Sequence, residues 1–189
     1  MPGLTFPLAT ERLLLRPFTD ADADALFVMY GPPDVSRYLY TEPRTRDEIP
    51  EMLERAKQLS AIDAHDGLRL AAVLKASGEV VGDLSLWRVS REHRQGEVGY
   101  VFDPAHQGHG YATEAVREML RIGFEEVGFH RIVGRLDARN AASAAVLERV
   151  GMRREAHLRE NDFIKGEWAD ELIYAMLASE WEALHTDSS

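Results

Sequence analysis

The sequence predicts a single domain of the α/β class, an α+β arrangement built on a mixed β-sheet of about seven strands flanked by about four helices. A turn at Ser77-Gly78 separates two apolar strand patterns, Leu68 to Lys75 and Val80 to Val89, which predicts an antiparallel hairpin. Further along the chain a helical pattern lies between two strand patterns, as in parallel strands joined by a crossover helix. A sheet with both kinds of pairing is mixed.

The part of the chain before the hairpin contains one strand and two helices. Alternating apolar residues predict the first strand, Thr10 to Pro17. Thr19 or Asp20 can cap a helix that runs to about Tyr30. Apolar residues near helical spacing predict the second helix over Arg46 to Ile62.

The part after the hairpin alternates between strands and helices. The periodicity predicts a strand, a long amphipathic helix, a strand, a short helix and two closing strands, at Gln95 to Phe102, Ala112 to Val127, Arg131 to Asp137, Ala141 to Val150, Met152 to Leu158 and Trp168 to Leu177. Gly151 stands where a left-handed residue would end the short helix. The predicted order is β-α-α-β-β-β-α-β-α-β-β, with residues 1–184 in the domain and 185–189 as a disordered tail.

Charge and composition exclude several classes of function. The chain carries 22 Lys and Arg against 32 Asp and Glu, a net charge of −10 that repels nucleic acid. This charge would attract cationic ligands such as amines; the alternative is that it serves solubility alone. It has no cysteine, hence no disulfide, thiolate metal site or cysteine nucleophile. No apolar run is long enough for a membrane span and the first residues do not resemble a signal peptide, so we expect a cytoplasmic protein that does not bind membranes.

The segment Gln107-Gly108-His109-Gly110-Tyr111-Ala112 lies between a predicted strand and the long helix. Free N–H groups and the helix dipole make that end of a helix positive, and glycines let the backbone approach a ligand closely. The context predicts a site for an anion such as a pyrophosphate; a glycine-rich turn without a ligand is the alternative. The chain lacks the lysine-containing phosphate loop of nucleotide hydrolases. An unrelated nucleotide-binding protein of another kind is a further alternative.

Five segments, in order along the chain, resemble the GNAT superfamily of N-acetyltransferases. Gln107 to Ala112 resembles the family's [QR]-x-x-G-x-[GA] signature, and Glu97 to Phe102 its fourth strand. Asn140 to Met152 is similar to its asparagine-containing segment. Thr10 to Pro17 and Gly166 to Asp170 resemble the branch that acetylates ribosomal proteins, the RimJ/RimL type.

The resemblance implies a splayed sheet in which acetyl-CoA lies between the diverging fourth and fifth strands. It implies that the following residues bind this cosubstrate: Tyr100, Val101, Phe102, Gln107, Gly108, His109, Gly110, Tyr111, Ala112, Thr113, Asn140 and Ser143. No metal is expected, because the histidines follow no zinc-binding spacing. A homodimer would be typical of the branch.

Direct attack of an amine on the thioester needs a proton acceptor, a group that stabilises the oxyanion and a proton donor for the thiolate. The resemblance implies a backbone N–H near Val101 for the oxyanion and Ser143 for the thiolate, although Ser143 could instead cap a helix. Asp162 is the first choice for the base and Glu97 the second, with Glu160 a near neighbour of Asp162. Each of these carboxylates could instead be a solvated surface group.

The acceptor pocket is expected to include aromatic side chains, namely Tyr38, Trp87 and Trp168. Core packing is the alternative role for the two tryptophans. The branch resemblance suggests the N-terminal α-amine of a protein as the acceptor. A small-molecule amine (a polyamine, an amino acid or an aminoglycoside) is the alternative, as is a non-catalytic acyl-CoA-binding module.

Overall fold

The computed structural model describes residues 4–186, which form one mixed sheet with helices on both faces. The strands are β1 (Leu8–Ala9), β2 (Leu13–Arg16), β3 (Gly67–Leu74), β4 (Val80–Ser90), β5 (Gln95–Phe102), β6 (Arg131–Asp137), β7 (Arg153–Ile164) and β8 (Glu167–Leu177). The α-helices are α1 (Ala23–Tyr30), α2 (Pro33–Ser36), α3 (Ile49–Gln58), α4 (Ile62–His65), α5 (Tyr111–Arg121), α6 (Ala141–Arg149) and α7 (Ala178–Thr186). The strand order across the sheet is β1-β2-β3-β4-β5-β6-β8-β7.

The sheet is splayed at its centre, between β5 and β6. These two strands are parallel, and their ladder joins only residues 95–97 to residues 131–133. β5 continues to Phe102, so its edge from Val98 onward has no strand partner on that side. The other neighbouring strands pair in antiparallel fashion, which confirms the predicted mixed sheet.

Apolar clusters on the two faces of the sheet hold the layers together. On one face α5 buries Ala115, Val116, Met119 and Leu120 completely. At about 1.5–3 kcal/mol for each large apolar side chain removed from water, this stripe fixes the helix and the loop before it against β4 and β5. On the other face α1 and α3 pack over Ala71 and Val73 of β3. Helix α5 therefore lies on one side of the splay, and α1 and α3 lie on the other.

Capping residues begin one helix and end another where the sequence predicts. Thr19 forms a reciprocal capping box with Asp22 before α1. Gly151 follows α6 with a φ of +93°, the left-handed conformation that a glycine tolerates without strain. These two predictions are confirmed.

The structure differs from the prediction mainly in short elements. Residues 4–186 contain eight strands and seven α-helices. The prediction lacked β1 and α2, which contain two and four residues and are too short to show a period, and it also lacked the nine-residue α7. The second predicted helix is divided: α3 ends at Gln58, and Ile62 begins α4. α7 reaches Thr186, so the first two residues of the predicted tail are helical, and residues 187–189 lie outside the described part.

No helix in residues 4–186 combines the length and the apolar character that a bilayer crossing requires.

Candidate active site

Two cavities meet at the splay between β5 and β6. The first, called here the loop cavity, has a volume of about 990 Å³ and runs along the loop before α5. The second, called the acidic cavity, has a volume of about 820 Å³ and lies on the α1–α3 side. Six residues line both cavities: Tyr38, Leu39, Tyr100, Val101, Asn140 and Ser143. A molecule in one cavity can therefore reach a molecule in the other at this junction.

The loop cavity contains the predicted anion site. Gly108 and Gly110 both have a φ of +79°, and Gly110 is the N-cap of α5. An alanine in their place would be strained, so glycine is what permits this loop to present the N–H groups of the first helical turn. All twelve residues predicted to bind the cosubstrate line this cavity, from Tyr100 to Ser143.

Arg12, a residue that the sequence reasoning did not single out, braces the loop. Its Nη1 donates to the His109 carbonyl at 2.7 Å, and its Nε donates to Glu114 at 2.7 Å. The guanidinium also lies 4.8 Å from the centre of the Tyr111 ring. Thr10 donates a second hydrogen bond to Glu114 at 2.5 Å. These contacts join the N-terminal strand region to the anion loop.

Further basic side chains surround the loop cavity. Arg117 and Arg149 line it, and both positions suit a phosphate group. His106 lies within 3.4 Å of both Glu79 and Asp103, and its ring stands at the entrance to the loop. The chemistry of this cavity, with free helical N–H groups and guanidiniums, fits a polyphosphate-containing ligand.

A polar cluster occupies the junction of the cavities. The Tyr100 hydroxyl lies 2.8 Å from Ser143 Oγ and donates to the Ser143 carbonyl at 2.9 Å. Asn140 Oδ1 accepts from the Ser143 N–H at 3.0 Å, so Asn140 and not Ser143 caps α6. Burial raises the pKa of the Tyr100 phenol to about 12, although the Ser143 hydrogen bond opposes the shift. The phenol is therefore protonated at neutral pH and able to donate.

One end of the acidic cavity has more carboxylates than cations. Arg135 lies 3.3 Å from Glu97 and donates to Glu171 at 3.1 Å, so two acids share one guanidinium. Asp162 lies on the same wall, where Asn161 bridges it to Glu171. Burial raises the pKa of Glu97, Arg135 lowers it, and the charge of Glu171 raises it further; the net direction is upward.

The opposite wall carries a buried ion pair. Arg69 donates to both carboxylate oxygens of Asp83, and Tyr30 donates to the same carboxylate at 2.7 Å. Asp83 is almost fully buried on β4, opposite Val101 of β5. Burial raises the pKa of Tyr30 well above its usual range, so the phenol stays a donor.

Some of the predicted catalytic and acceptor residues line the cavities and others do not. Asp162, Glu97, Tyr38 and Trp87 line the acidic cavity, and Ser143 lies at its junction. Trp168 differs from the prediction: it is 59% exposed, packs edge-on against Phe163 at 5.3 Å and lines neither cavity. The reason is strand alternation, because Ala169 and Glu171 turn inward while Trp168 turns outward. Glu160 is exposed and also lies outside both cavities.

Eight charged residues of the acidic cavity were missed by the sequence reasoning, and four of them form its partly or fully buried ion pairs: Arg69, Asp83, Arg135 and Glu171. A signal for two of them exists, because Arg69 interrupts the otherwise apolar β3 and Asp83 interrupts the apolar first half of β4, residues 80–84. Buried charges of this kind require partners, and the partners come from neighbouring strands. Within residues 4–186 no group of three or more His, Asp or Glu side chains is arranged to hold a metal ion.

The family that combines this splayed sheet with such a loop is identified by comparison with known proteins. The family profile described as "Acetyltransferase (GNAT) domain" matches residues 12–153. The chain therefore belongs to the GNAT family, and it is an N-acetyltransferase.

Individual relatives agree with the family assignment over nearly the whole chain. The uncharacterized N-acetyltransferase YnaD of Bacillus subtilis is 29% identical and covers 92% of this chain and 98% of its own length. The probable N-acetyltransferase YjcK of the same organism is 34% identical over 73% of this chain and 74% of its own length. The crystal structure of a GNAT-family acetyltransferase from Bacillus anthracis has a TM-score of 0.82 at 29% identity, over 91% and 98% of the two chains.

Proposed function

We propose that the protein transfers the acetyl group of acetyl-CoA to a primary amine by direct attack in a ternary complex. The observation that carries the proposal is the junction of the two cavities. The loop cavity suits the phosphates of acetyl-CoA, and the acidic cavity suits a cationic amine. Their shared residues, Tyr100, Val101, Asn140 and Ser143, are where thioester and amine would meet.

Two solved structures with the same fold support the choice of cosubstrate. One is a spermidine N-acetyltransferase from Vibrio cholerae in complex with CoA and spermine, with a TM-score of 0.77 at 23% identity over 90% and 98% of the chains. The other is RimL, a ribosomal L7/L12 alpha-N-protein acetyltransferase in complex with coenzyme A, with a TM-score of 0.79 at 18% identity over 90% and 97% of the chains. In this protein the twelve residues from Tyr100 to Ser143 would bind acetyl-CoA.

The proposed reaction uses side chains and a backbone N–H at the junction, together with side chains of the acidic cavity. The amine nitrogen attacks the thioester carbonyl carbon, forming the N–C bond, and the C–S bond then breaks. Glu97, directly or through water, takes the proton that the amine loses. It is placed before Asp162, the first choice from the sequence, because it lies on β5, the strand that forms the junction, and burial raises its pKa. The hydroxyl pair of Tyr100 and Ser143 returns a proton to the departing thiolate, and a β5 N–H near Val101 stabilises the oxyanion.

The charge of the acidic cavity supports an amine as the acceptor. At one end Glu97, Glu171 and Asp162 face a single cation, Arg135, and this surplus attracts an ammonium group. Tyr38 and Trp87 add aromatic surface for the aliphatic part. Among amines, we propose a protein or peptide N-terminus of the kind that the RimJ/RimL branch acetylates; a polyamine or another small amine is the second candidate.

Thiol release from acetyl-CoA tests the proposal. The protein is incubated with acetyl-CoA and a panel of peptides, polyamines and amino acid amides, and free thiol is followed over time. We expect amine-dependent release that disappears in the Glu97→Gln, Asp162→Asn double variant. Tight binding of coenzyme A without release for any amine would instead favour a non-catalytic acyl-CoA-binding module.

A further inference from the structure

Arg69 presents a polar group to the acidic cavity that the proposed chemistry does not use. The side chain extends from β3, a strand that is otherwise buried, and is only 14% exposed. Its Nε and Nη2 atoms both donate to Asp83, so one edge of the guanidinium is fully occupied. Asp83 also accepts from Tyr30 and is thereby fixed in place. The pair holds the guanidinium in one orientation.

The third guanidinium nitrogen, Nη1, has a different environment. It makes no hydrogen bond of ordinary geometry within residues 4–186, although the Tyr30 hydroxyl lies beside the guanidinium, and it is not sealed from solvent. Arg69 forms part of the wall of the acidic cavity. Because a guanidinium nitrogen is a donor only, Nη1 offers N–H groups to a molecule in that cavity.

The sheet surface between Arg69 and the junction carries only small residues. Arg69 lies opposite Ser85 of β4, and Ser85 lies opposite Gly99 of β5. A Cβ atom added to Gly99 would contact Ser85 Oγ at 2.7 Å and no other side chain. Small residues therefore leave an open channel over the sheet, along which an acceptor could extend from the junction to Arg69.

The charge of the cavity decides which oxygen suits Arg69. Six carboxylates and four arginines line the cavity, a surplus of two negative charges. Asp83 already neutralises the charge of Arg69. A carboxylate on the acceptor would be repelled here, whereas a neutral carbonyl oxygen accepts a hydrogen bond without that cost.

We infer that Arg69 binds a carbonyl oxygen of the acceptor, so that the preferred acceptor is an amine that carries an amide group, as a peptide N-terminus does. Arg69 is then a specificity residue: it holds the acceptor at a point away from the reacting nitrogen. The inference rests on the proposed function. It separates the two candidate acceptor classes, because a polyamine has no carbonyl oxygen.

The wild-type protein provides the first test. Its kcat/KM is measured by thiol release for an amidated dipeptide and for a straight-chain monoamine of the same length. We expect the dipeptide amide to be preferred by about tenfold or more, the worth of one hydrogen bond to a charged group. Equal use of the two amines would overturn the inference while leaving the proposed function intact. No release with either amine or with a polyamine would count against the proposed function itself.

The Arg69→Lys variant provides the second test, since lysine can still pair with Asp83 but lacks the planar fork. We expect the KM of the dipeptide amide to rise about tenfold and the KM of the monoamine to change less than about twofold. Arg88→Lys is the matched control, because Arg88 is a similarly buried β4 arginine paired with Asp63 and lies outside both cavities. Equal KM changes for both amines in a folded Arg69→Lys protein would refute the inference. If Arg69→Lys melts far below Arg88→Lys, the wild-type comparison decides alone.

Discussion

At the scale of single residues, the proposed role of Glu97 as the base depends on its burial beside a second acid. Burial and the charge of Glu171 raise its pKa, while Arg135 keeps the carboxylate paired. A base must be deprotonated to act, so the rate falls as the pH drops through this pKa. Because the pKa is raised, that fall begins at a higher pH than for a free glutamate.

The Glu97→Gln variant tests this role. We expect kcat/KM to fall by about 100-fold or more, in the range of general base catalysis, and the acidic limb of the pH profile to disappear. The measurement is kcat/KM from about pH 5 to about pH 9 for wild type, Glu97→Gln and Asp162→Asn. If Asp162→Asn removes the limb and Glu97→Gln retains it, Asp162 is the base and the assignment of Glu97 is wrong.

Tyr100 and Ser143 are the residues proposed to donate a proton to the thiolate. The high pKa of the Tyr100 phenol keeps its proton in place at neutral pH, 2.8 Å from Ser143 Oγ. We expect both Tyr100→Phe and Ser143→Ala to lower kcat, and the double variant to lower it no further than the worse single variant, because the two hydroxyls act in series. Additive losses in kcat would show that they act separately.

At the scale of elements, the strand-loop-helix unit β5–α5 depends on glycine conformation. Gly108 and Gly78 both have positive φ values, +79° and +75°, and both face open space. Alanine at either position costs about 1 kcal/mol of backbone strain. Gly78 lies in the β3–β4 turn, outside both cavities, which makes it a matched control.

Calorimetric titration with coenzyme A distinguishes the two glycines. We expect Gly108→Ala and Gly78→Ala to lower the melting temperature by similar amounts, and only Gly108→Ala to weaken coenzyme A binding. The reason is that the strained loop no longer presents its N–H groups to the phosphates. Equal affinity in the two variants would mean that the loop does not bind the pyrophosphate.

An ion network joins β6, β7 and α7 at the far edge of the sheet. Hydrogen bonds from Arg131, and then from Arg153, lower the pKa of Glu155 to about 2 against the opposing effect of burial. A lowered carboxyl pKa stabilises the fold above the unfolded-state value and loses this effect as the pH falls through the folded-state value. We expect the melting temperature difference between wild type and Glu155→Gln to shrink from about pH 5 to about pH 2. A constant difference across this range would show that the network does not act through ionisation.

Most elements with a full period were predictable from the sequence, whereas the shortest elements and the terminal helix α7 were not. β5 and β6 begin and end at the predicted residues, because each contains seven or more residues bounded by turns. β1, α2 and α4 depend on tertiary contacts. The same division applies to the site: the loop residues are contiguous, whereas Arg135 meets Glu171, and Asp83 meets Arg69, only through strand pairing. Trp168 shows the limit of predicting the site from the sequence, because a shift of one residue along the strand decides which face of the sheet its side chain is on.

At the scale of the whole molecule, the two cavities join at the splay, where the proposed reaction would take place. Three paired residues hold β5 to β6, and beyond them the strands separate. The net charge of −10 and the surplus acid of the acidic cavity have the same sign, so a cationic acceptor is attracted at long and short range. Salt should therefore raise the KM of the amine more than that of acetyl-CoA.

The junction of the cavities makes the central claim, direct transfer in a ternary complex, accessible to one measurement. Initial rates of thiol release are recorded while acetyl-CoA and an accepted amine are both varied. Attack without an acetyl-enzyme predicts double-reciprocal lines that intersect, since both molecules must be bound at once. Parallel lines, which indicate that an acetyl-enzyme forms before the amine binds, would contradict the account.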